Sequence, residues 1–218
     1  MSITNLFKFF SPLLLTSLVL FFTTQPIFHD GLFQTMDDIQ VVRIEQMYKE
    51  LKSLQFPVRM AAELGNGAGY MLFNFYSPLV YYLGAFFHFL NFTLVISTKL
   101  VFLSGFLMAW FGINLVLRQK FDILTTIFGS AIFLLAPYLG YDAYHRGALA
   151  EFFAFSLLPF LFFSILNLCE KGSKFFFLIS SFSVALLVLS HNLTTLIVLP
   201  FIIILVLVLR GRYFLSFF

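Results

Sequence analysis

Charge is scarce in this sequence. Of its 218 residues only 11% are charged, whereas 61% are hydrophobic. That is more apolar material than a soluble core of this size needs. A net charge of +3 over 218 residues does not point to a nucleic-acid face; in a membrane protein such an excess reports basic cytoplasmic loops. The single cysteine, Cys169, excludes an internal disulfide and a cysteine-based metal cage. Neither a glycine-lysine phosphate loop nor an HExxH helix occurs. What remains is a set of long apolar runs, with mean hydropathy +0.97. They predict an all-α, polytopic helical membrane protein.

The runs place about six transmembrane helices, near 6–24, 95–117, 121–137, 151–168, 174–190 and 193–209. Lys8 lies at the start of the first run, and Thr23-Thr24-Gln25-Pro26 lacks a small-x-small cleavage pattern. The first run therefore reads as a retained anchor with its N-terminus inside. The apolar stretch 79–92 is short: at ~1.5 Å per residue it covers roughly 21 Å, against a hydrocarbon core of ~30 Å. If it does not cross, Arg118/Lys120, Lys171/Lys174 and Arg210/Arg212 all fall on the side of Lys8, as the positive-inside rule requires. With that topology residues 25–94 form a first outer loop. The Asp142–Glu151 loop and His191-Asn192 then share its extracytoplasmic face. The ending Arg210 to Phe218 reads as the start of another apolar segment, and predicts that this is the N-terminal part of a longer protein.

Within the first outer loop, Thr35-Met36-Asp37-Asp38 reads as a helix start with Thr35 as cap. Ile44, Met47, Tyr48, Leu51 and Leu54 then recur at helical spacing, with Arg43, Glu45, Gln46, Lys49, Glu50 and Lys52 opposite. This predicts an amphipathic surface helix of about 18 residues, with Arg43, Lys49 and Lys52 on its solvated side or against lipid phosphates. Leu64 to Tyr70 reads as a glycine-rich loop holding Glu63 at its edge, and Phe73 to Pro78 as an aromatic interface stretch.

The candidate site residues come from two places. Asp37 and Asp38 suit a general base, or a pair holding a divalent metal; the competing reading is two acids at the positive end of a helix. Asp142, His145, Arg146 and Glu151 crowd into ten residues between apolar runs. Arg146 can grip a phosphate bidentately, or pair with Glu151 to pin the loop. His191 and Asn192 interrupt apolar sequence, as a polar turn or as further ligand contacts. Tyr138, Tyr141 and Tyr144 read as an interfacial belt, or as faces that stack against a sugar. Lys99 reads as snorkelling from its span.

Ala136-Pro137-Tyr138, the run Tyr144-His145-Arg146-Gly147-Ala148-Leu149-Ala150-Glu151, Leu158-Pro159, Phe73-Asn74-Phe75-Tyr76-Ser77-Pro78-Leu79 and Ser190-His191-Asn192 together resemble a bacterial family, the 6-pyruvoyl-tetrahydropterin synthase-related membrane domain. More distantly the layout is similar to the C-type (GT-C) glycosyltransferases, such as oligosaccharyltransferases and protein mannosyltransferases. That resemblance implies a donor sugar on polyprenyl phosphate, used at the outer face of the cytoplasmic membrane. It matches Asp37 or Asp38 to the first-loop acid and Asp142 to the second-loop acid. Gln40 stands where such proteins tend to carry histidine, three residues before the arginine matched by Arg43. The expected function is transfer of a sugar to an envelope glycan, lipid or protein. In it Asp37 or Asp38 is the base, Arg146 holds the phosphate and Asp142 orients the acceptor or a metal, with His145, Glu151 and His191 lining the site. The rival expectations are a flippase or transporter of lipid-linked sugar and an inactive scaffold of envelope assembly.

Overall fold

The computed structural model describes the backbone of residues 3–215 and the side chains of residues 11–209. Lys8, Arg210, Arg212 and the apolar ending lie outside the described side chains. The elements in order are α1 (Ile3–Thr24), a 3-10 turn (Gln25–Phe28), α2 (Gln40–Lys52), α3 (Leu72–Phe75), α4 (Leu79–Phe89), α5 (Leu94–Lys120), α6 (Ile123–Leu134), α7 (Pro137–Tyr141), a π turn (Asp142–Arg146), α8 (Leu149–Lys171), α9 (Lys174–Ser190) and α10 (Asn192–Leu215). Among the described residues the only β pairing is a single bridge between Ala61 and Tyr70.

Five stretches are long and apolar enough to cross a membrane: Ser11–Phe28, Leu94–Lys120, Ile123–Arg146, Leu149–Lys171 and Asn192–Leu209. At 17 residues α9 is shorter, yet it spans roughly 26 Å and runs antiparallel beside α8. The helix ends gather into two groups. At one end Tyr144 Oη donates to the Thr23 carbonyl (2.5 Å), Lys99 Nζ bonds the His29 carbonyl, and Ser77 Oγ donates to Asn192 Oδ1 (2.8 Å). At the other, Lys120 pairs with Glu170. With 11 residues, α4 begins next to Ser77 and ends just before α5, so both its flanks lie at the first end. Lys99 thus bonds a loop carbonyl.

Glycine sets the closest approaches, as expected where packing alone must hold helices together. A Cβ at Gly105 of α5 would come within 2.4 Å of the Phe152 ring, and one at Gly112 within 2.9 Å of the Phe160 nitrogen, so α5 and α8 pack nearly backbone to backbone. Gly84 does the same for α4, where Ile44 of α2 fills the space a side chain would need. Hence α2 and α4 run side by side and parallel, with Gln40 beside Tyr81 and Tyr48 beside His88. Deeper in the bundle, Trp110 Nε1 and Asn114 Nδ2 of α5 both donate to Thr16 Oγ1 of α1, tying the two spans with a buried polar contact.

Three expectations are corrected. The surface helix is 13 residues, not about 18, and it starts at Gln40. The amides of Met36 and Asp37, which a helix beginning at Thr35 would have oriented along its axis, donate instead to the carbonyls of His145 and Arg146 (both 2.9 Å). Thr35 Oγ1 turns onto the Asp37 carbonyl. Second, residues 137–146 are not an open loop. Pro137 lacks the amide to continue α6, so the chain breaks at Ala136 and restarts as α7 and the π turn. Third, the polar side of α2 is solvated only in part: Lys49 and Lys52 are exposed, whereas Arg43 is half-buried and Gln40, Gln46 and Glu50 are buried. Gln46 and Lys49 hold the Glu63 carboxylate (2.8 and 2.7 Å), which fastens the 60–70 loop over the helix.

Candidate functional site

The site is built where the first loop meets the π turn, and Gly147 permits that meeting. It ends the π turn with φ +67°, a left-handed conformation that costs other residues energy. A Cβ there would lie 2.4 Å from Thr35 Oγ1 and 3.0 Å from the Asp37 carbonyl oxygen. With only hydrogen on Gly147, the chain from Thr35 to Asp37 lies flat on residues 145–147. Gln40 completes the junction: its Nε2 donates to the Gly147 carbonyl and to Asp37 Oδ2, both at 2.8 Å, while its Oε1 accepts from Tyr81 Oη at 2.9 Å.

Around that junction stand two ion pairs. Arg43 Nη1 donates to Asp37 Oδ2 and to Tyr81 Oη, each at 3.2 Å, and its guanidinium lies 4.7 Å over the Tyr76 ring. Burial works against the charge of Arg43, but the Tyr81 oxygen and the Asp37 carboxylate outweigh it and hold its pKa above the ordinary arginine value. Burial raises the Tyr81 phenol, so it remains a hydrogen-bond donor. In the second pair Arg146 Nη1 donates to Asp142 Oδ1 (2.7 Å) and to Glu151 Oε2 (3.0 Å). Tyr138 Oη in turn donates to Glu151 Oε1 at 2.5 Å. Asp142 Oδ2 is buried with no hydrogen-bond partner.

The two pairs open onto one cavity of about 350 Å³, lined by Met36, Asp37, Tyr76, Tyr141, Arg146, Ala148, Glu151 and His191. Its size suits a small polar ligand or headgroup. His191 caps the end of α9, where the Thr194 amide (3.3 Å) and hydroxyl (2.8 Å) both meet Nδ1 and leave the proton on Nε2. Burial lowers its pKa below the ordinary histidine value, Glu151 opposing. A larger cavity, about 460 Å³, lies at the opposite end by Pro12, Arg118 and Asp122. There the Asp122 carboxylate caps α6 through the Thr125 amide.

Of the seven residues singled out from the sequence, Asp37, Arg146, Glu151 and His191 line the cavity together. Asp142 lies beneath Arg146, its side chain 1% exposed, where it holds the guanidinium but cannot itself meet a ligand. Asp38 is exposed and does not line the cavity. His145 is exposed and stacks on the Tyr141 ring at 4.6 Å, beside the cavity rather than in it. Among the described residues no group of three or more His, Cys, Asp or Glu is placed to hold a metal ion. Sequence reasoning missed Arg43, Tyr76 and Tyr81 as site residues. Helical periodicity puts Arg43 on the solvated side of an amphipathic helix; its signal is its spacing, three residues after Gln40 and six after Asp37.

Fold and site together define an all-α membrane protein with several membrane-crossing helices and a charged cavity at one end of the bundle. The chain belongs to the 6-pyruvoyl-tetrahydropterin synthase related domain family of membrane proteins, whose family model matches residues 73–218. The matched region carries the π turn, Glu151 and His191, whereas Asp37, Gln40 and Arg43 precede it. No curated protein and no solved structure matches the chain.

Proposed function

We propose that the chain is an envelope glycosyltransferase of the C-type kind, drawing sugar from a polyprenyl-phosphate carrier. One observation carries the reading: the same cavity presents a carboxylate, Asp37, and a guanidinium, Arg146, each held by partners behind it. Transfer from a lipid phosphate needs these two groups. Asp37 takes the proton of the acceptor hydroxyl as its oxygen bonds the anomeric carbon. The bond from that carbon to the carrier phosphate breaks, and the electron pair leaves on polyprenyl phosphate, whose charge Arg146 meets. Tyr76 and Tyr141 supply flat walls for the sugar, and Glu151 accepts from its hydroxyls. On this proposal α9 crosses, α4 lies at the surface, and the cavity faces outward from the cytoplasmic membrane. Charges at helix ends instead of mid-span favour chemistry at the surface over a path through the bilayer.

The test uses the purified chain in lipid nanodiscs with a panel of polyprenyl-phosphate pentoses, hexoses and amino sugars, reading released polyprenyl phosphate by mass spectrometry. This readout does not require the acceptor to be known if the panel is run in cell-envelope extract. Release is expected with at least one donor, and Asp37→Asn lowers it by about 10²–10⁴-fold, the usual worth of a positioned base. Arg146→Lys, which keeps the charge but not the fork, weakens donor binding. No release from any donor, with no binding of polyprenyl phosphate to the folded protein, overturns the proposal.

A further inference from the structure

The turn that follows α2 shows a surface that water does not explain. Lys52-Ser53-Leu54-Gln55-Phe56-Pro57 projects from the end of the helix, with Leu54 91% and Phe56 80% exposed. Leu54 is moreover held at φ +64°. That left-handed conformation is strained for a residue with a Cβ and usually falls to glycine or asparagine. A leucine kept there, fully presented, gains nothing by facing solvent.

The charges around it are of one sign. Between Leu51 and Ala62 the chain carries Lys52 and Arg59, both exposed, and no acid. The two flanking acids are both engaged: the Glu50 carboxylate is turned inward and accepts from the Ala62 amide at 3.3 Å, and the exposed Glu63 carboxylate is paired with Lys49 at 2.7 Å. The tip is also continuous with an apolar stripe. Phe56 rests on the Tyr82 ring, centroids 6.0 Å apart, and the Val58 amide donates to Tyr82 Oη at 2.9 Å. Tyr82, Phe86 and Phe89 fall at i, i+4 and i+7, on one face of α4, and Phe86 and Phe89 are exposed. Since both flanks of α4 lie at the site's end of the bundle, this stripe runs along the level where helices leave the bilayer.

We propose that the 52–59 turn is a membrane anchor: Leu54 and Phe56 enter the leaflet on the site's side of the same membrane, and Lys52 and Arg59 meet its anionic headgroups. Aromatic and aliphatic side chains flanked by cations are the composition that interfacial binding selects. The anchor lies at the far end of α2 from Gln40 and Arg43, so the helix is fixed by the π turn at one end and by lipid at the other. The inference is independent of the proposed chemistry.

The experiment places an environment-sensitive fluorophore on Phe56→Cys in a Cys169→Ser background, with Ala68→Cys, on the exposed glycine-rich loop, as control. The proteins are set in nanodiscs of phosphatidylcholine, with and without phosphatidylglycerol. The label at 56 is expected to emit to the blue of that at 68. A lipid nitroxide near the headgroup quenches it severalfold more strongly, while aqueous iodide quenches it less. Phosphatidylglycerol deepens the difference, and Lys52→Gln with Arg59→Gln abolishes that dependence. A label at 56 that behaves like the one at 68 overturns the anchor. So does one shielded from iodide yet untouched by lipid nitroxide, since it is then covered by protein, whether a second copy or another partner.

Discussion

The two ion pairs of the cavity are opposites in exposure. In the first, Arg43 is the more covered member, half-buried at 15%, and Asp37 faces outward at 36%; in the second, Asp142 is buried at 1% and Arg146 faces outward at 38%. Each buried member fixes the position and charge of the one in front of it. One pair therefore offers the cavity an acid and the other a base-paired cation, although both are the same two chemical groups. The inversion also predicts an unusual order of mutational costs. Removing the outward member of a pair strands a buried charge, whereas replacing the buried member leaves a charge that water can reach.

The largest effect is expected at the second pair, where the asymmetry is greatest. Arg146→Gln leaves the Asp142 carboxylate buried without its partner and costs about 3–5 kcal/mol. Asp142→Asn keeps a carbonyl acceptor for an exposed guanidinium and costs about 1 kcal/mol. Thermal unfolding in nanodiscs, monitored by tryptophan fluorescence, compares them; equal costs, or the reverse order, break the comparison. Next comes Gly147→Ala. The left-handed backbone alone costs about 1–2 kcal/mol, and the clash with Thr35 adds to it. The expected signature is the release of residues 30–39 to limited proteolysis, because the first pair loses its seat on the second. A variant as protected as the parent would mean that the two pairs are not joined there.

Much of the fold was legible because the bilayer imposes a simple code. Long apolar runs become helices of spanning length, whereas 79–92 becomes only the 11-residue α4. The second cluster was legible as well, since Asp142, Arg146 and Glu151 are close in sequence and a helical turn brings them together. The first pair was not. Arg43 sits where helical periodicity assigns solvent, and nothing local says that the 145–147 strip will cover that side of α2. The same long-range pairing moved the helix start from Thr35 to Gln40. Gln40 itself stood out from the sequence only as a departure from a resembling family, and the structure makes it the bridge between the loop and the π turn.

Gln40 sharpens the comparison at smaller scale. Gln40→Leu keeps the volume and deletes three hydrogen bonds, one of them to the buried Gly147 carbonyl. A net cost of about 1–3 kcal/mol is expected. The first pair should suffer more than the second: hydrogen exchange speeds up at Met36 and Asp37, while amides of α8 beyond Glu151 are unchanged. Equal acceleration in both would show that the pairs form one unit and not two units bridged by a side chain.

The smallest effect is a pH dependence at His191, the titrating group that faces both Glu151 and Arg146 across the cavity. Burial makes the folded protein less willing to protonate it than the unfolded chain is, so its folded pKa lies below the ordinary value of 6.5. The sign follows by linkage: as pH falls through about 6.5 the unfolded state takes up a proton that the folded state refuses, and stability declines. Above that value the ring is neutral in both states and contributes no slope. The parent should therefore lose melting temperature between neutral pH and pH 5.5 more steeply than His191→Gln. Glu151→Gln should steepen the loss further, because it removes the carboxylate that partly favours the imidazolium. If Glu151→Gln instead flattened the profile, protonation of the His191 ring would not be what sets it.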